Sequence, residues 1–360
     1  MGSTKINKEM VLEALGHVQD PELHRDLVSL NMIHDLVVED GKVSFTIMLT
    51  TPACPLRTKI EKDARVAVQE LTGVREVTIK MSANVPNDGR TRGMLKLPVK
   101  NVVAVASGKG GVGKTTVAVN TAVALAQMGA KVGLLDADIY GPNVPTMMGI
   151  HELPRPTKEM IAPAERHGVK MMSIGFVVKQ GQPLIWRGPM LHSAIRQFLE
   201  DVDWGALDYL IIDLPPGTGD AQLSLAQSVP LSGAVIVTLP QAVSLEDASR
   251  GLAMFNELNV PILGVVENMS YLELPDGSHV DIFGKGGGEE MAQKYQVPFF
   301  GAIPMDPNVR VGGDEGEPVV ITHPDSAPAV ALRGVAEKIA AAVSVAALSQ
   351  TSGPTVKMVD

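Results

Sequence analysis

Apolar and polar positions in the first eighty residues follow short helical and strand-like patterns. Apolar residues recur at helical spacing in segments 8–18 and 56–71. Segments 32–38, 42–49 and 74–81 alternate in the manner of strands, with a turn through Asp40 and Gly41 between the first two. This succession predicts a small α+β domain over residues 5–84.

From residue 101 onward the pattern changes to continuous apolar runs separated by helical segments. The runs are 102–106, 132–135, 209–212, 234–238 and 262–266. Strands that are apolar at every position are buried on both faces, which is typical of a mainly parallel sheet covered by helices on both sides. We therefore predict an α/β domain over residues 101–348.

Two segments outside these domains lack periodicity. Segment 85–100 contains proline, glycine and several basic residues, so we expect a linker there. Segment 349–360 is short and polar, so we expect a disordered tail.

Composition narrows the classes of partner. The net charge of −9 and the pI near 5.4 argue against a nucleic-acid partner. No apolar run approaches the ~18 residues that span a membrane, and no signal peptide is visible. Cys54 is the single cysteine, which excludes an intramolecular disulfide and suits a reducing compartment. We expect a cytoplasmic protein with no nucleic-acid or membrane partner.

The string from Ser107 to Thr116 fits the phosphate-binding loop pattern, and it lies between a strand-like run and a helical segment. Glycines let backbone N–H groups turn toward phosphate oxygens, and a helix N-terminus adds partial positive charge. In this pattern Lys114 reaches the β- and γ-phosphates of ATP, and Thr115 holds Mg²⁺. The expected nucleotide-binding residues of the loop are Gly108, Gly110, Gly111, Val112, Gly113, Lys114, Thr115 and Thr116.

A second lysine, Lys109, follows the first glycine of the loop, where the ordinary pattern leaves the position free. The string resembles the loop of the deviant Walker A ATPases, a class that includes the nitrogenase iron protein, MinD and the ParA partition proteins. The resemblance implies a homodimer in which Lys109 reaches the nucleotide bound by the partner subunit. A lone loop lysine is otherwise an ordinary solvated side chain.

Aspartates stand at the ends of two apolar runs, where ligands of parallel sheets gather. Asp213 fits the Walker B pattern of a Mg²⁺ ligand, and Asp136 is a candidate to support Mg²⁺ through water. Asp138 resembles the aspartate of the class that orients the attacking water. Gly217 is a candidate switch hinge whose N–H meets the γ-phosphate. The alternative use of each aspartate is as a turn or helix cap.

A further strand end offers a candidate base-binding site. Asn268 has an amide whose donor and acceptor match the adenine edge, although an Asx turn is an equal alternative. Pro304, in the segment from Ile303 to Asp306, is a candidate second wall for the base.

Taken together, the motifs resemble the bacterial Mrp/ApbC iron–sulfur cluster carriers, over about residues 8–343. The strings that carry the resemblance are the phosphate loop, Asp136 to Pro145, Trp186 to Met190, Asp213 to Asp220, Glu267 to Tyr271, and Asp281 to Gly288. The small domain, with Asp20-Pro21-Glu22 and Cys54, resembles the N-terminal domain of iron–sulfur assembly factors. The resemblance implies a homodimeric ATPase that hydrolyses ATP slowly and passes clusters to apoprotein clients.

One departure from the family bears on the cluster. The family places Cys-x-x-Cys where this chain has Leu274 and Gly277, and neither of these residues can bind iron. Cys54 is then the candidate cluster ligand, because a thiol before a helix N-terminus has a lowered pKa. A small buried apolar role for Cys54 is the alternative. The departure also keeps open a second function, an ATPase switch that positions protein partners as MinD and ParA do.

Overall fold

The computed structural model describes residues 6–88, 97–155, 160–177, 188–274 and 276–351. The described chain divides into two compact units, one built from residues up to Pro86 and one from Asn87–Gln350. The string Trp186 to Met190 lies partly outside the described residues, and so does segment 89–96 of the expected linker; residues 352–360 lie wholly outside them.

The first unit packs two helices on a three-stranded sheet. Its elements are α1 Lys8–Leu15, β1 Gln19–Asp20, β2 Arg25–Asp26, β3 Ile33–Glu39, β4 Lys42–Leu49, α2 Arg57–Gln69 and β5 Glu76–Ala83. Strand β4 pairs antiparallel with β3 and parallel with β5. The helical spacing of Ile60, Ala64 and Val68 buries one face of α2, as the sequence predicts. Each of the three predicted strands is present within two residues of its expected bounds.

Eight strands of the second unit form one sheet, in the order β15-β12-β11-β6-β10-β7-β9-β8. Every neighbouring pair is parallel except β8 and β9. These strands are β6 Val99–Ser107, β7 Val132–Asp136, β8 Ala164–Arg166, β9 Val169–Ser173, β10 Leu207–Asp213, β11 Gly233–Thr238, β12 Ile262–Glu267 and β15 Phe299–Ala302. A separate hairpin consists of β13 Leu272–Glu273 and β14 His279–Val280.

Helices connect the strands. They are α3 Lys114–Gln127, α4 Val144–Met147, α5 Gly188–Asp201, α6 Asp220–Ser228, α7 Ala242–Glu257, α8 Gly287–Tyr295, α9 Pro307–Glu315, α10 Val319–Thr322 and α11 Ala327–Thr351. The predicted fold class is thereby confirmed. All five predicted central strands are present, and they are buried along almost their whole length.

Three strands of the eight-stranded sheet were not predicted. Strands β8, β9 and β15 lie toward the two edges of the sheet, and each has only three to five residues. Polar residues such as Lys170 and Glu165 interrupt two of them, because an edge strand keeps contact with water. A search for continuous apolar runs does not detect such strands.

Two predicted boundaries need correction. Strand β6 begins at Val99, so the last two residues of the expected linker belong to the sheet. Helix α11 continues to Thr351, so a tail beginning at residue 349 is wrong by three residues. The helix extends because no Gly or Pro stands between Gly334 and Gly353. Among the described residues, no helix has the length and apolar character needed to cross a membrane.

Two glycine substitutions test the packing of the sheet. A Cβ on Gly264 of β12 would lie 2.6 Å from the ring of Phe300, which is buried on β15. We expect Gly264→Ala to lower the free energy of unfolding by about 1–3 kcal/mol through overpacking. Gly334→Ala is the matched control, because a Cβ on this α11 residue meets no atom within 4 Å.

The control should raise the free energy of unfolding by about 0.5–1 kcal/mol, since alanine restricts the unfolded chain more than glycine does. Thermal unfolding measures both variants. Equal melting temperatures would contradict the contact between β12 and β15.

Candidate functional site

A cavity of about 780 Å³ opens at the carboxyl ends of the parallel strands. Its walls come from the phosphate loop, from the segment after β7, from the corner after β12, and from α9 with the residues before it. Ligands of α/β proteins bind at this edge of a sheet. The predicted residues that line the cavity are Lys109, Gly110, Gly111, Val112, Gly113, Lys114, Thr115, Thr116, Asp138, Asn268 and Pro304.

The loop from Ser107 to α3 brings backbone N–H groups to the cavity. Gly113 precedes α3 in the left-handed region, at φ 82°, and its lack of a side chain leaves the first helical turn without a side-chain cap. A Cβ on Gly113 would also lie 2.1 Å from the amide nitrogen of Asn268. The first N–H groups of a helix have no partner within the helix, so they are available to an anion here.

Gly108 has a different position from the one predicted. It does not line the cavity, because its Cα faces the backbone of α7. A Cβ there would lie 2.1 Å from the carbonyl carbon of Asp247. The structure therefore assigns Gly108 to close packing of the loop on α7.

Lys114 is the central cation of the site. Its side chain is only 5% exposed, and its Nζ donates to Asp213 Oδ1 at 2.6 Å and to Asp138 Oδ2 at 3.4 Å. Thr115 Oγ1 donates to the second oxygen of Asp213 at 2.7 Å. Burial raises the pKa of the Asp213 carboxyl, and the Lys114 ammonium opposes that shift.

Asp136 lies beneath the cavity rather than in its lining. It accepts hydrogen bonds from Ser173 Oγ at 2.8 Å, from the N–H of Asp138 at 3.1 Å and from the N–H of Val144 at 3.3 Å. Burial, followed by the charge of Asp213, raises the pKa of Asp136 to about 8. These contacts join β7 to β9 and to α4, so Asp136 shapes the floor of the site.

Lys109 and Gly217 differ in whether their hydrogen-bond donors are already used within the protein. The Lys109 ammonium makes no hydrogen bond or ion pair with any residue that the structure describes, although its carbonyl accepts from Ser107 Oγ at 2.9 Å. Gly217 does not line the cavity, and its N–H donates to the carbonyl of Ser107 at 2.9 Å. A contact of this N–H with a phosphate requires that bond to break.

Asn268 and Pro304 both line the cavity. Asn268 Nδ2 donates to the carbonyl of Val112 at 2.8 Å, which links the candidate base-binding residue to the phosphate loop. The Asn268 side-chain oxygen makes no hydrogen bond to the described residues, so it does not form the alternative Asx turn. The amide oxygen therefore remains an available acceptor among the described residues.

The hairpin β13–β14 occupies the position of the family's cysteine pair. Leu274 is 36% exposed, and Gly277 lies at φ 80° in the turn, where a side chain is disfavoured. Asp276 accepts from the N–H and the hydroxyl of Ser278, and these bonds lower the pKa of its carboxyl. The ring of His279 stacks on Tyr271 at 4.3 Å between centroids.

Cys54 lies in the first unit, three residues before α2 begins. Its side chain is half-buried and packs against the apolar core of that unit. No disulfide involves it. No group of three or more His, Cys, Asp or Glu side chains in the described ranges is arranged to hold a metal ion.

Sequence reasoning missed several residues of the cavity wall. Tyr140 and Asn143 follow Asp138, whereas Met269, Val309 and Arg310 lie beside the base-binding end. Ser173, the partner of Asp136, lies on the unpredicted strand β9. A scan for polar residues just beyond each strand end would have found Asn143, but the residues of α9 carry no such signal.

Comparison with known families identifies the chain. Residues 98–340 match the family model described as the NUBPL iron-transfer P-loop NTPase. The chain belongs to this family. Residues 8–80 match a second model, described as an iron–sulfur cluster assembly protein. The resemblance to Mrp/ApbC-type proteins is thereby confirmed.

Individual relatives of this iron-transfer P-loop NTPase agree with the assignment. A protein from Synechocystis named iron–sulfur cluster carrier protein is 54% identical, over 95% of this chain and 99% of the relative. A nucleotide-binding protein from Archaeoglobus fulgidus, solved with ADP, is 39% identical at a TM-score of 0.56, over 64% of this chain and 91% of that one. The MinD ATPase of Pyrococcus furiosus is 26% identical at a TM-score of 0.52, over 66% of this chain and 98% of that one.

The raised pKa of Asp136 predicts how stability depends on pH. At pH values between the ordinary pKa of 3.8 and about 8, Asp136 holds a proton in the folded protein that it has lost in the unfolded chain. The contribution of Asp136 to stability is therefore full at low pH and is lost as the pH rises through about 8, with a slope of up to about 1.4 kcal/mol per pH unit. We expect Asp136→Asn to flatten this decline, measured by denaturant unfolding without nucleotide or Mg²⁺.

Asp203→Asn serves as the control, because Asp203 is exposed and should leave the pH dependence unchanged. Parallel stability curves for wild type and Asp136→Asn would show that the Asp136 carboxyl is ionised throughout the range.

Proposed function

We propose that this P-loop NTPase binds ATP, hydrolyses it slowly, and carries iron–sulfur clusters to apoprotein clients. The observation that carries the ATPase proposal is the contact of Lys114 and Thr115 with Asp213 at the base of an N–H-lined cavity. The carrier proposal is supported by the family match and by the name of the Synechocystis relative. We infer a cytoplasmic location, since a reduced thiol and cluster chemistry both need a reducing compartment.

The loop and Lys114 perform the binding step. The N–H groups at the start of α3 donate to phosphate oxygens, and the Lys114 ammonium moves from its aspartate partners to the β- and γ-phosphates. Release from Lys114 leaves the Asp138 carboxylate, which also lines the cavity, facing the bound phosphate. In this position Asp138 orients the attacking water.

The residues at the base of the cavity fit a magnesium ion. A hydroxyl of Thr115 and a carboxylate of Asp213 lie 2.7 Å apart and offer the hard oxygen ligands that Mg²⁺ prefers. When bound, Mg²⁺ neutralises the charge that develops on the phosphates. Asp136 keeps its place beneath Asp213, since both of its oxygens are occupied by hydrogen bonds within the protein.

Two further residues support a switch that depends on nucleotide and on dimerisation. The Gly217 N–H donates to the Ser107 carbonyl in this structure. If this N–H donated to a γ-phosphate instead, the loop that leads into α6 would move. Lys109 lines the cavity, and its ammonium pairs with no residue that the structure describes, which supports its assignment to the nucleotide of a partner subunit. We propose a homodimer on this basis.

The cluster is cargo, and this chain offers few ligands for it. Leu274 and Gly277 supply none, so Cys54 is the only thiolate of each chain. A dimer then provides two thiolates, whereas a cluster takes four ligands. We infer that a client or a small thiol supplies the others during transfer.

A second function is favoured by the missing cysteine pair. An ATPase switch of the MinD type needs no cluster ligands, and the MinD structure shares the fold. The names of the relatives favour the carrier, and so does the N-terminal assembly domain match, which MinD-type action does not require.

Two lysine variants separate binding from hydrolysis. We expect Lys109→Ala to keep the affinity for ATP–Mg²⁺ and to lose hydrolysis by roughly a hundredfold or more, because its charge acts on the partner's transition state. Lys114→Ala should lose binding itself, since it removes the central phosphate cation. Titration calorimetry and phosphate release measure the two effects.

Lys59→Ala is the control for removal of an exposed lysine. Full hydrolysis by Lys109→Ala, or a monomer in the presence of ATP by light scattering, would refute the role across the dimer. Unchanged ATP affinity in Lys114→Ala would refute the phosphate-loop assignment.

Cluster binding tests the cargo. After anaerobic reconstitution we expect a weak, labile cluster in the wild type and none in Cys54→Ser, by iron and sulfide counts. The paired substitution Leu274→Cys and Gly277→Cys should instead give a stable cluster bridging the dimer. The backbone of Gly277 adds a strain of roughly 1–2 kcal/mol to that design, although a Cβ there meets no atom within 4 Å.

A stable, stoichiometric cluster in Cys54→Ser would show that Cys54 is not the ligand. Absence of a cluster under every condition would favour the partner-positioning ATPase.

A further inference from the structure

The chain makes a strained corner where it leaves β12. Strand β12 ends at Glu267, and the hairpin begins at Leu272. Met269, between them, adopts the left-handed region at φ 51°, which an unbranched residue other than glycine seldom occupies. Such conformations persist only where surrounding contacts determine them. The contacts of this corner therefore need an explanation.

Glu267 supplies two of these contacts from a buried position. Its side chain is 1% exposed, and each of its carboxylate oxygens receives one donor. One donor is the hydroxyl of Ser270, and the other is the N–H of Gly288 in the first turn of α8, at 2.7 Å. Hydrogen bonds to a carboxylate are about twice as strong as neutral ones, and a helix N-terminus adds a favourable field.

The same corner contacts the phosphate loop. Asn268 Nδ2 donates to the carbonyl of Val112, and the Met269 Cε would lie 3.5 Å from a Cβ on Gly113. Both Asn268 and Met269 line the cavity. Any movement of Asn268 toward a bound base acts directly on the bonds that fix the corner.

Backbone hydrogen bonds also join the corner to the segment from Ile303 to Asp306, here called the base wall, and to the start of the hairpin. The N–H of Ser270 donates to the carbonyl of Ile303 at 2.9 Å, and the N–H of Ile303 donates to the carbonyl of Glu267 at 2.8 Å. The N–H of Met305 donates to the carbonyl of Tyr271 at 2.7 Å. The chain that leads into the hairpin is thus held to segment 303–305 by backbone hydrogen bonds.

We propose that Glu267 is a positioning residue that acts through Asn268 to fix the base-binding corner and to transmit nucleotide occupancy to the hairpin β13–β14. The inference rests on the proposed ATP-binding function and adds the residue that couples it to a second surface. Among the described residues Glu267 makes no hydrogen bond with the phosphate loop, which the corner meets through Asn268, so its influence should fall mainly on the base and on the hairpin.

The test uses Glu267→Gln, with the exposed α8 residue changed in Glu290→Gln as the matched control. The amide side chain keeps the shape of glutamate but loses the charge that strengthens both bonds. Affinities for ATP–Mg²⁺ and for tripolyphosphate–Mg²⁺ are measured by calorimetry. We expect roughly a tenfold loss for ATP and less than about a twofold change for tripolyphosphate, because the loop N–H groups and Lys114 are untouched.

A reporter on the hairpin gives the second measurement. In a Cys54→Ser background, Val280→Cys places a single thiol on exposed β14 for an environment-sensitive fluorophore. Saturating ATP–Mg²⁺ should change the fluorescence of the labelled protein when residue 267 is the original glutamate, and also when Glu290→Gln is present. The change should be much smaller in the labelled Glu267→Gln variant. Ser270→Ala should have the same effect as Glu267→Gln, since it removes one of the two donors.

The outcomes separate this inference from the proposed function. Failure of the wild type to bind ATP–Mg²⁺ would overturn both. Normal binding by the wild type, with equal losses for ATP and tripolyphosphate in Glu267→Gln, would reduce Glu267 to a general structural role. An undiminished fluorescence response in Glu267→Gln would also refute the coupling.

Discussion

The candidate site depends on one buried ammonium group. Lys114 is the cation that contacts Asp213 and Asp138, while Asp136 lies on the strand beside Asp213. Carboxylates at adjacent strand ends repel one another, and burial disfavours their charge further. Removing one partner of a buried ion pair costs about 3–5 kcal/mol, because it leaves the other charge without compensation. Lys114 therefore holds the floor of the cavity together before any nucleotide arrives.

This charge arrangement explains why a nucleotide would need a metal ion here. The loop presents N–H groups to the cavity, whereas the strand ends beside it present carboxylates with Lys114 among them. Phosphates are attracted by the N–H groups and repelled by the carboxylates. When Lys114 turns to the phosphates, Asp213 loses its main source of positive charge. A divalent cation held by Thr115 and Asp213 would restore that balance, so binding of phosphate and metal should be mutually dependent.

Much of this site could be predicted from the sequence because its residues are local in the chain. The loop glycines, Lys114 and Thr115 lie in one short string, Asp213 directly follows an apolar run, and Asp138 stands three residues beyond another. Contacts made at long range could not be predicted. Gly108 packs on α7, and Ser173 bonds Asp136 from an edge strand that has no clear apolar pattern. The wall residue Arg310 lies on a helix that looks like any exposed helix, with an ion pair to Asp314.

The limits of local reasoning are clearest at the corner after β12. An asparagine at a strand end suggests base recognition, but whether its side chain can bind a base depends on the contacts that fix its position. Glu267 looks like an ordinary strand-end acid in the sequence, yet in the fold it receives the N–H that begins α8. Gly288 permits this approach, since a Cβ there would lie 2.9 Å from the Glu267 Cβ. The lack of a side chain at Gly288, in the first turn of α8, therefore lets this helix approach the corner closely. A chain without the family's cysteine pair still retains the hydrogen bonds that join this corner to the phosphate loop and to the start of the hairpin, so the proposed coupling depends on no cluster ligand.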